Sequence, residues 1–368
     1  MTGACTLQLS SFQKLLFGRQ SRPAADQNNT RSITGDNVED TPNESGRGSQ
    51  KKTFLGTIFS PIVSFLRKVV DKTCKFFGIE SPIDTLHRKV VIAPNTHVDS
   101  TPTDHGIPHE KVEIKSGDAV LRGYLLKSPV ETKKTVIFLN GQYSNGGGEE
   151  GKCYKKFAEL QKQVPVNVLI VDYKGFGKSS GTPTFDGLVS DAEAMYDYLI
   201  REKELKPEDI SVLGASLGGG VAIQLAKKRK FNTLVIQSSF TSTEDVAGDV
   251  MSKLLPDVLV DSLTPLVETP FNSKEAIKEA KADNIVILHG TNDEYIPYKQ
   301  GVSLWRSAKD AGLNPIFIKL KGAGHTNFSD FYDDDCFKIF RRLFGTEDNN
   351  NYYNKNNTEE NRILAKAA

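Results

Sequence analysis

The sequence has few of the features that mark disulfide-stabilised, metal-binding or membrane-spanning proteins. Its 368 residues include only four cysteines, which stand far apart and form no C-x-x-C pair. Neither a disulfide framework nor a zinc site is therefore predicted, and reduced thiols in a cytosol-like compartment are expected. No apolar run reaches the roughly 18 residues that a membrane span needs. The apolar stretch nearest the N-terminus is too short for a secretory signal, so no cleaved leader is expected.

A charge excess of either sign is also missing. The chain has 47 Lys and Arg residues against 46 Asp and Glu residues, which gives a formal net charge of +1. Such a balance gives no global electrostatic attraction to nucleic acid, and no nucleic-acid partner is predicted.

Both ends of the chain are poor in large apolar residues. Residues 18–50 are mostly Asn, Ser, Thr, Gly, Asp and Arg, and the tail 346–368 contains seven asparagines. Because such segments bury too little apolar surface to offset the loss of chain entropy, 1–50 and 346–368 are predicted to be largely disordered. These ends would also suit an exported effector, and composition does not decide between that and a cytoplasmic protein.

Residues 51–80 have the pattern of a basic amphipathic helix. Ser60-Pro61 is typical of a helix start, and 51–75 contains six basic residues and one acidic one. The helix is expected either to lie peripherally on an anionic membrane or to pack its apolar face on the rest of the protein. Residues 81–109 are expected to be a linker. The apolar stripe of the helix comprises Ile62, Phe65, Leu66, Val69, Val70, Phe76 and Phe77.

From about residue 110, short apolar runs alternate with helical patterns. A hairpin is predicted at 112–126, with its turn at 116–118. Such alternation predicts an α/β domain at 110–345, with a mostly parallel central sheet and helices on both faces. A small cap is expected at 242–274, where apolar side chains would either line an acyl pocket or simply pack. Further strands are predicted at 135–139, 166–171, 210–213, 233–236, 285–288 and 315–320, and helices around 149–163, 186–204, 217–229, 298–311 and 331–344.

Ser216 lies in G-A-S-L-G, between a predicted strand and a predicted helix. A serine on such a tight turn needs small neighbours two positions away, which Gly214 and Gly218 provide, and the helix N-terminus favours developing negative charge. Ser216 is therefore the predicted nucleophile.

A serine nucleophile needs a base, and the base needs a carboxylate to orient it. In strand–turn–helix hydrolases the acid and then the base follow the serine, each on a loop after a strand. Asp293 follows the strand 285–288 and His325 follows the strand 315–320. We predict His325 as the base and Asp293 as the acid, with Glu294 as the nearest alternative acid. His289, at a strand end, is expected to be structural.

Two backbone N–H groups should bind the oxyanion. One is predicted from Leu217, directly after the nucleophile. The other is predicted from Gln142, on the glycine-rich loop after the strand 135–139.

Four blocks give the chain a family resemblance: D-Y-K-G-F-G-K-S-S-G-T-P at 172–183, G-A-S-L-G-G-G at 214–220, H-G-T-N-D-E-Y-I-P at 289–297 and G-A-G-H at 322–325. The chain resembles the α/β-hydrolase superfamily, and within it the depalmitoylase and monoacylglycerol-lipase-like group. One departure is Asn140, where relatives usually have histidine before the oxyanion residue. The first block supplies no reactive group and is interpreted as scaffold.

The resemblance and the predicted residues together imply a serine hydrolase that needs no metal or organic cofactor. A carboxylic ester or thioester with a lipid-like acyl group is the favoured substrate. A peptidase or amidase that uses the same three side chains is an alternative. A non-catalytic, membrane-associated interaction protein on a hydrolase fold is another.

Overall fold

The computed structural model describes residues 92–142, 144–252 and 270–345. The segments 1–50 and 346–368, for which disorder is predicted, and the amphipathic segment 51–80 lie outside these residues. Most of the cap predicted at 242–274 also lies outside them, because 253–269 is not described. Among the described residues, no helix is both long and apolar enough to cross a lipid bilayer.

An eight-stranded sheet forms the centre of the described domain. The strands are β1 His109–Ser116, β2 Ala119–Leu126, β3 Thr135–Leu139, β4 Asn167–Val171, β5 Ile210–Ala215, β6 Phe231–Gln237, β7 Ala282–Gly290 and β8 Pro315–Leu320. Their order across the sheet is β1-β2-β4-β3-β5-β6-β7-β8. β1 and β2 form the predicted antiparallel hairpin, β2 also pairs antiparallel with β4, and the remaining neighbours are parallel. This confirms the predicted mostly parallel sheet.

Helices cover both faces of the sheet, as expected for strands that are apolar on both sides. All five residues of β3 are buried. The helices are α1 Gly148–Gln163, α2 Phe185–Arg201, α3 Leu217–Lys228, α4 Thr243–Met251, α5 Ser273–Ala276, α6 Tyr298–Asp310 and α7 Asp334–Phe344. Ile137 of β3 belongs to the core cluster that includes α2 and α3, whereas Phe138 points to the opposite face and packs against Phe157 of α1.

Two short helices flank the undescribed middle of the predicted cap. Neither α4 nor α5 is among the helices that the sequence predicts. An isolated antiparallel bridge between Ser242 and Asn272 joins the two ends of this insertion. Short 3₁₀ helices are found at Pro102–His105, Pro207–Asp209, Ile277–Glu279 and Phe328–Phe331.

The later part of the predicted linker 81–109 is held against the domain. Ile92 is buried in the hydrophobic core of the domain. The backbone N–H groups of Asp99 and Ser100 both donate to the carbonyl of Gly147, at 3.0 and 3.1 Å. Residues 92–108 therefore make defined contacts with the loop that leads into α1.

Helix α7 seals one face of the sheet, and its Phe340 is fully buried between Tyr332 and Phe344. Phe340→Ala is expected to lower the free energy of unfolding by about 3–5 kcal/mol, since a large aromatic ring is removed from a packed core. Val130→Ala, at a residue that is 47% exposed, should change it by less than about 0.5 kcal/mol. Urea unfolding of both variants tests this, and equal losses would contradict the assigned packing of α7.

Candidate active site

Ser216 occupies the one-residue turn between β5 and α3. Its φ of +54° and ψ of −117° are a conformation that non-glycine residues rarely adopt, so the surrounding structure has to stabilise it. The Ser216 N–H donates to the carbonyl of Gln237 at 2.9 Å, and the Ser239 hydroxyl donates to the Ser216 carbonyl at 2.8 Å. These bonds fix the turn to β6 and to the loop after it.

The glycines beside the serine are required by close backbone packing. A Cβ on Gly218 would lie 2.0 Å from the carbonyl oxygen of Leu139, and one on Gly214 would lie 2.2 Å from that of Gly218. Because these obstacles are backbone atoms, no rotamer change relieves them. The two small neighbours that the sequence predicts are therefore both needed.

The structure brings Ser216, His325 and Asp293 together from three loops at the carboxyl edge of the sheet. His325 Nε2 lies 3.1 Å from Ser216 Oγ. On the other side of the ring, His325 Nδ1 lies 2.9 Å from Asp293 Oδ2 and 3.1 Å from Oδ1. An ionised carboxylate only accepts hydrogen bonds, so Nδ1 carries the proton and Nε2 is left to accept from the serine hydroxyl.

Asp293 is buried, and its carboxylate accepts several hydrogen bonds. Its Oδ1 accepts the N–H groups of Tyr295 and Ile296 at 3.0 and 2.8 Å. Burial favours the neutral acid, but the hydrogen bonds and electrostatic interactions of the His289 and His325 rings outweigh it and hold the pKa of Asp293 well below its ordinary value. The carboxylate is therefore ionised at neutral pH.

His289 is a second imidazole on the acid, and sequence reasoning gave it only a structural role. Its Nε2 lies 2.9 Å from the carbonyl of Ile296 and 3.4 Å from Asp293 Oδ2. Both partners only accept, so Nε2 carries a proton. The ring is fully buried, and Nδ1 has no hydrogen-bond partner within the described structure. In the sequence, this contact was indicated only by the four-residue spacing from His289 to Asp293.

Glu294, the alternative acid, takes a different position. Its Oε2 accepts the backbone N–H of His325 at 3.3 Å, whereas Asp293 faces the imidazole. The ring of Tyr295 packs edge-on against that of His325, with centroids 5.3 Å apart. The loop after β7 thus holds both the ring and the backbone of His325.

The two predicted oxyanion donors belong to the helix that follows the serine and to the loop that follows β3. Leu217 is the first residue of α3, so its N–H has no acceptor within the helix. The loop after β3 reaches the serine through Gly141, on which a Cβ would lie 3.3 Å from Ser216 Cβ. Gln142 follows and is half-buried. Asn140 is buried, and neither polar atom of its side chain has a hydrogen-bond partner in the described structure.

Comparisons with known proteins agree with this architecture. Residues 131–292 match the family model described as serine aminopeptidase, S33. The chain is 28% identical over 218 residues to protein bem46 of Schizosaccharomyces pombe, covering 56% of this chain and 67% of that one. It is 30% identical over 238 residues to the alpha/beta hydrolase domain-containing protein WAV2 of Arabidopsis thaliana, covering 61% and 75%. A Pyrococcus furiosus esterase has a similar fold, with a TM-score of 0.54, 24% identity, and coverage of 69% and 97%.

The lowered pKa of Asp293 has a consequence for stability. A carboxyl whose folded pKa is depressed stabilises the fold above its unfolded pKa of about 4, and that stabilisation is lost as the pH falls below this value. Asp293→Asn should therefore make the acid-side loss of stability shallower, by at most about 1.4 kcal/mol per pH unit. Unfolding measured from pH 7 to pH 2 tests this. Asp118→Asn, on the exposed hairpin turn, is the control, and equal slopes in the two variants would contradict it.

Proposed function

Because the chain belongs to the α/β-hydrolase family, we propose that it is a serine hydrolase that cleaves a carboxylic ester or thioester by way of an acyl-enzyme. The observation that carries the proposal is the contact of His325 Nε2 with Ser216 Oγ at 3.1 Å, with the Asp293 carboxylate on the far side of the ring. This arrangement gives a serine the base it needs.

In the proposed reaction, Ser216 Oγ attacks the substrate carbonyl while His325 Nε2 takes the hydroxyl proton. Asp293 stabilises the imidazolium that forms, and the N–H groups of Leu217 and Gln142 bind the oxyanion. His325 then gives the proton to the leaving alcohol or thiol. Water attacks the acyl-enzyme with His325 as base, the bond from the acyl carbon to Ser216 Oγ breaks, and His325 returns the proton to Oγ as the acid product leaves. Every proton is carried by His325.

An ester or thioester with a lipid-like acyl group is the substrate class we favour. Two sequence features support it, the basic amphipathic segment 51–80 and the apolar cap segment. The resemblance to depalmitoylases and monoacylglycerol-lipase-like enzymes points the same way. A second candidate, an aminopeptidase, is favoured by the match of 131–292 to the serine aminopeptidase model.

Ser216→Ala should abolish labelling by a fluorophosphonate probe and lower the turnover of p-nitrophenyl esters by at least about 10³-fold, since the attacking oxygen is removed. Ser190→Ala removes a serine on the exposed side of α2 and should keep full labelling. Absence of labelling in the wild type would reject the enzyme and favour the non-catalytic interaction protein.

The substrate class is resolved in the same assay. Acyl-chain series of p-nitrophenyl esters and of thioesters are compared with aminoacyl p-nitroanilides, each corrected for Ser216→Ala. Turnover that rises with acyl length supports the lipid-like substrate. Turnover confined to the anilides supports the aminopeptidase.

We further propose peripheral membrane contact through 51–80. The full chain should float with vesicles of phosphatidylcholine and phosphatidylserine. Reversing the charges of Arg67, Lys68 and Lys72 to Glu should lower the vesicle partition coefficient by about 100-fold or more, because each basic residue contributes about 1 kcal/mol near an anionic surface. The control reverses three exposed lysines of the domain, Lys111, Lys115 and Lys178. Equal flotation of both triple variants would reject membrane contact through this segment.

A further inference from the structure

The loop between β3 and α1, residues 140–147, has to be held by something other than regular secondary structure. It contains Gly141, Gly146 and Gly147, and its described residues, 140–142 and 144–147, form no helix or strand. Glycines widen the conformational freedom of a chain, yet an oxyanion donor must lie 2.7–3.1 Å from the developing charge. The contacts that restrain this loop therefore bear on the proposed reaction, through Gln142.

Asp172 supplies the first contact. It begins the D-Y-K-G-F-G block, follows β4, and accepts the N–H of Gly146 on Oδ1 at 2.9 Å in a buried position. Burial raises the pKa of Asp172 to about 7, and the Gly146 N–H acts in the opposite direction by binding the ionised form. A Cβ on Gly177 of the same block would lie 2.0 Å from Asp172 Oδ2, so this glycine makes room for the carboxyl group.

Asn145 supplies the second contact, with the segment 95–100, which we term the strap. Buried Asn145 donates through Nδ2 to the carbonyls of Asn95 and His97, at 2.9 and 2.8 Å. Its Oδ1 accepts the N–H of Gly147 at 3.0 Å. All three of these bonds go to the backbone. The two from Nδ2 join the loop to a segment that lies before the sheet, and the one to Oδ1 lies within the loop.

The strap and the loop also contact each other through their backbones. The Gly147 carbonyl accepts both strap N–H groups described above, and a Cβ on Gly147 would lie 2.4 Å from the carbonyl oxygen of Ser100. The Asn95 carbonyl accepts a further bond, from Gly177 N–H at 2.8 Å. Strap, loop and D-Y-K-G-F-G block are thus joined at one point.

We propose that Asn145 and Asp172 are positioning residues for the acyl-transfer reaction, which fix the loop 140–147 and hence the Gln142 N–H relative to Ser216. The inference rests on the proposed function and assigns a role to the D-Y-K-G-F-G block and to residues 95–100. Neither side chain needs to touch substrate. Their hydrogen bonds order the loop during folding, so that no conformational entropy has to be lost to order it when substrate binds.

The test compares Asn145→Ala with Asn167→Ala. Asn167 also ties loops together by its side chain, accepting Ser128 N–H and donating to the Thr132 carbonyl, but at the amino end of β4. Asn145→Ala should lower kcat for a p-nitrophenyl ester about 10- to 100-fold with KM within about twofold, because a misplaced donor weakens transition-state binding most. Asn167→Ala should keep kcat within about twofold of the wild type, even if it lowers Tm as much as Asn145→Ala does.

Asp172 gives an independent pair of variants. Asp172→Ala removes the acceptor of the Gly146 N–H and should lower kcat as Asn145→Ala does. Asp172→Asn keeps an oxygen that accepts this bond and should restore kcat to within about threefold of the wild type. Equal kcat in Asn145→Ala and Asn167→Ala, or no rescue by Asp172→Asn, would overturn the proposal.

A separate measurement tests the restraint on the loop if the proposed function itself is wrong. If the wild type shows no Ser216-dependent turnover, the hydrolase assignment fails, and amide hydrogen exchange of peptides covering 140–148 tests the hold on the loop directly. Faster exchange in Asn145→Ala than in Asn167→Ala supports the restraint, and equal exchange overturns it.

Discussion

The site depends on the close approach of strand β5, helix α3 and the end of β3 around a single serine. Gly214 and Gly218 allow backbone atoms to come within distances that exclude any Cβ, and Ser216 takes the strained conformation that this approach imposes. The energetic cost of this conformation is offset by hydrogen bonds to β6 and by the buried sheet beneath. A strained residue persists only where its surroundings determine its conformation fully, and here those surroundings are the core of the domain.

Much of the fold and of the candidate site could be predicted from the amino-acid sequence. The alternation of apolar runs predicts the sheet, because buried parallel strands are continuously apolar. Ser216, Asp293 and His325 each follow a predicted strand, and the carboxyl ends of parallel strands meet at one edge of a sheet, so these three residues are expected to lie close together. The ends of strands and helices were predicted less well. β7 begins at Ala282, before its apolar run, since ladder hydrogen bonds to β6 join backbones whatever the side chains are. The start of α7 is set by the capping carboxylate of Asp333.

What the sequence did not reveal is the support around the site. His289 lies against Asp293, four residues away, whereas Asp172 and Asn145 hold a loop through bonds that follow no repeat in the sequence and link residues far apart in the chain. Side-chain bonds to backbone leave no pattern in composition or spacing. The D-Y-K-G-F-G block illustrates this. Its glycines signal a turn, but the partner of its aspartate is known only once the fold has brought Gly146 beside it.

The position of the strap in the chain has a consequence for the completeness of the site. Asn95 and Asn145 are 50 residues apart, and Asp172 is 26 residues beyond Gly146. Closing such loops costs chain entropy, which the contacts at their ends have to offset. A chain with its sheet complete but its strap undocked would therefore be a folded protein with an unfinished site.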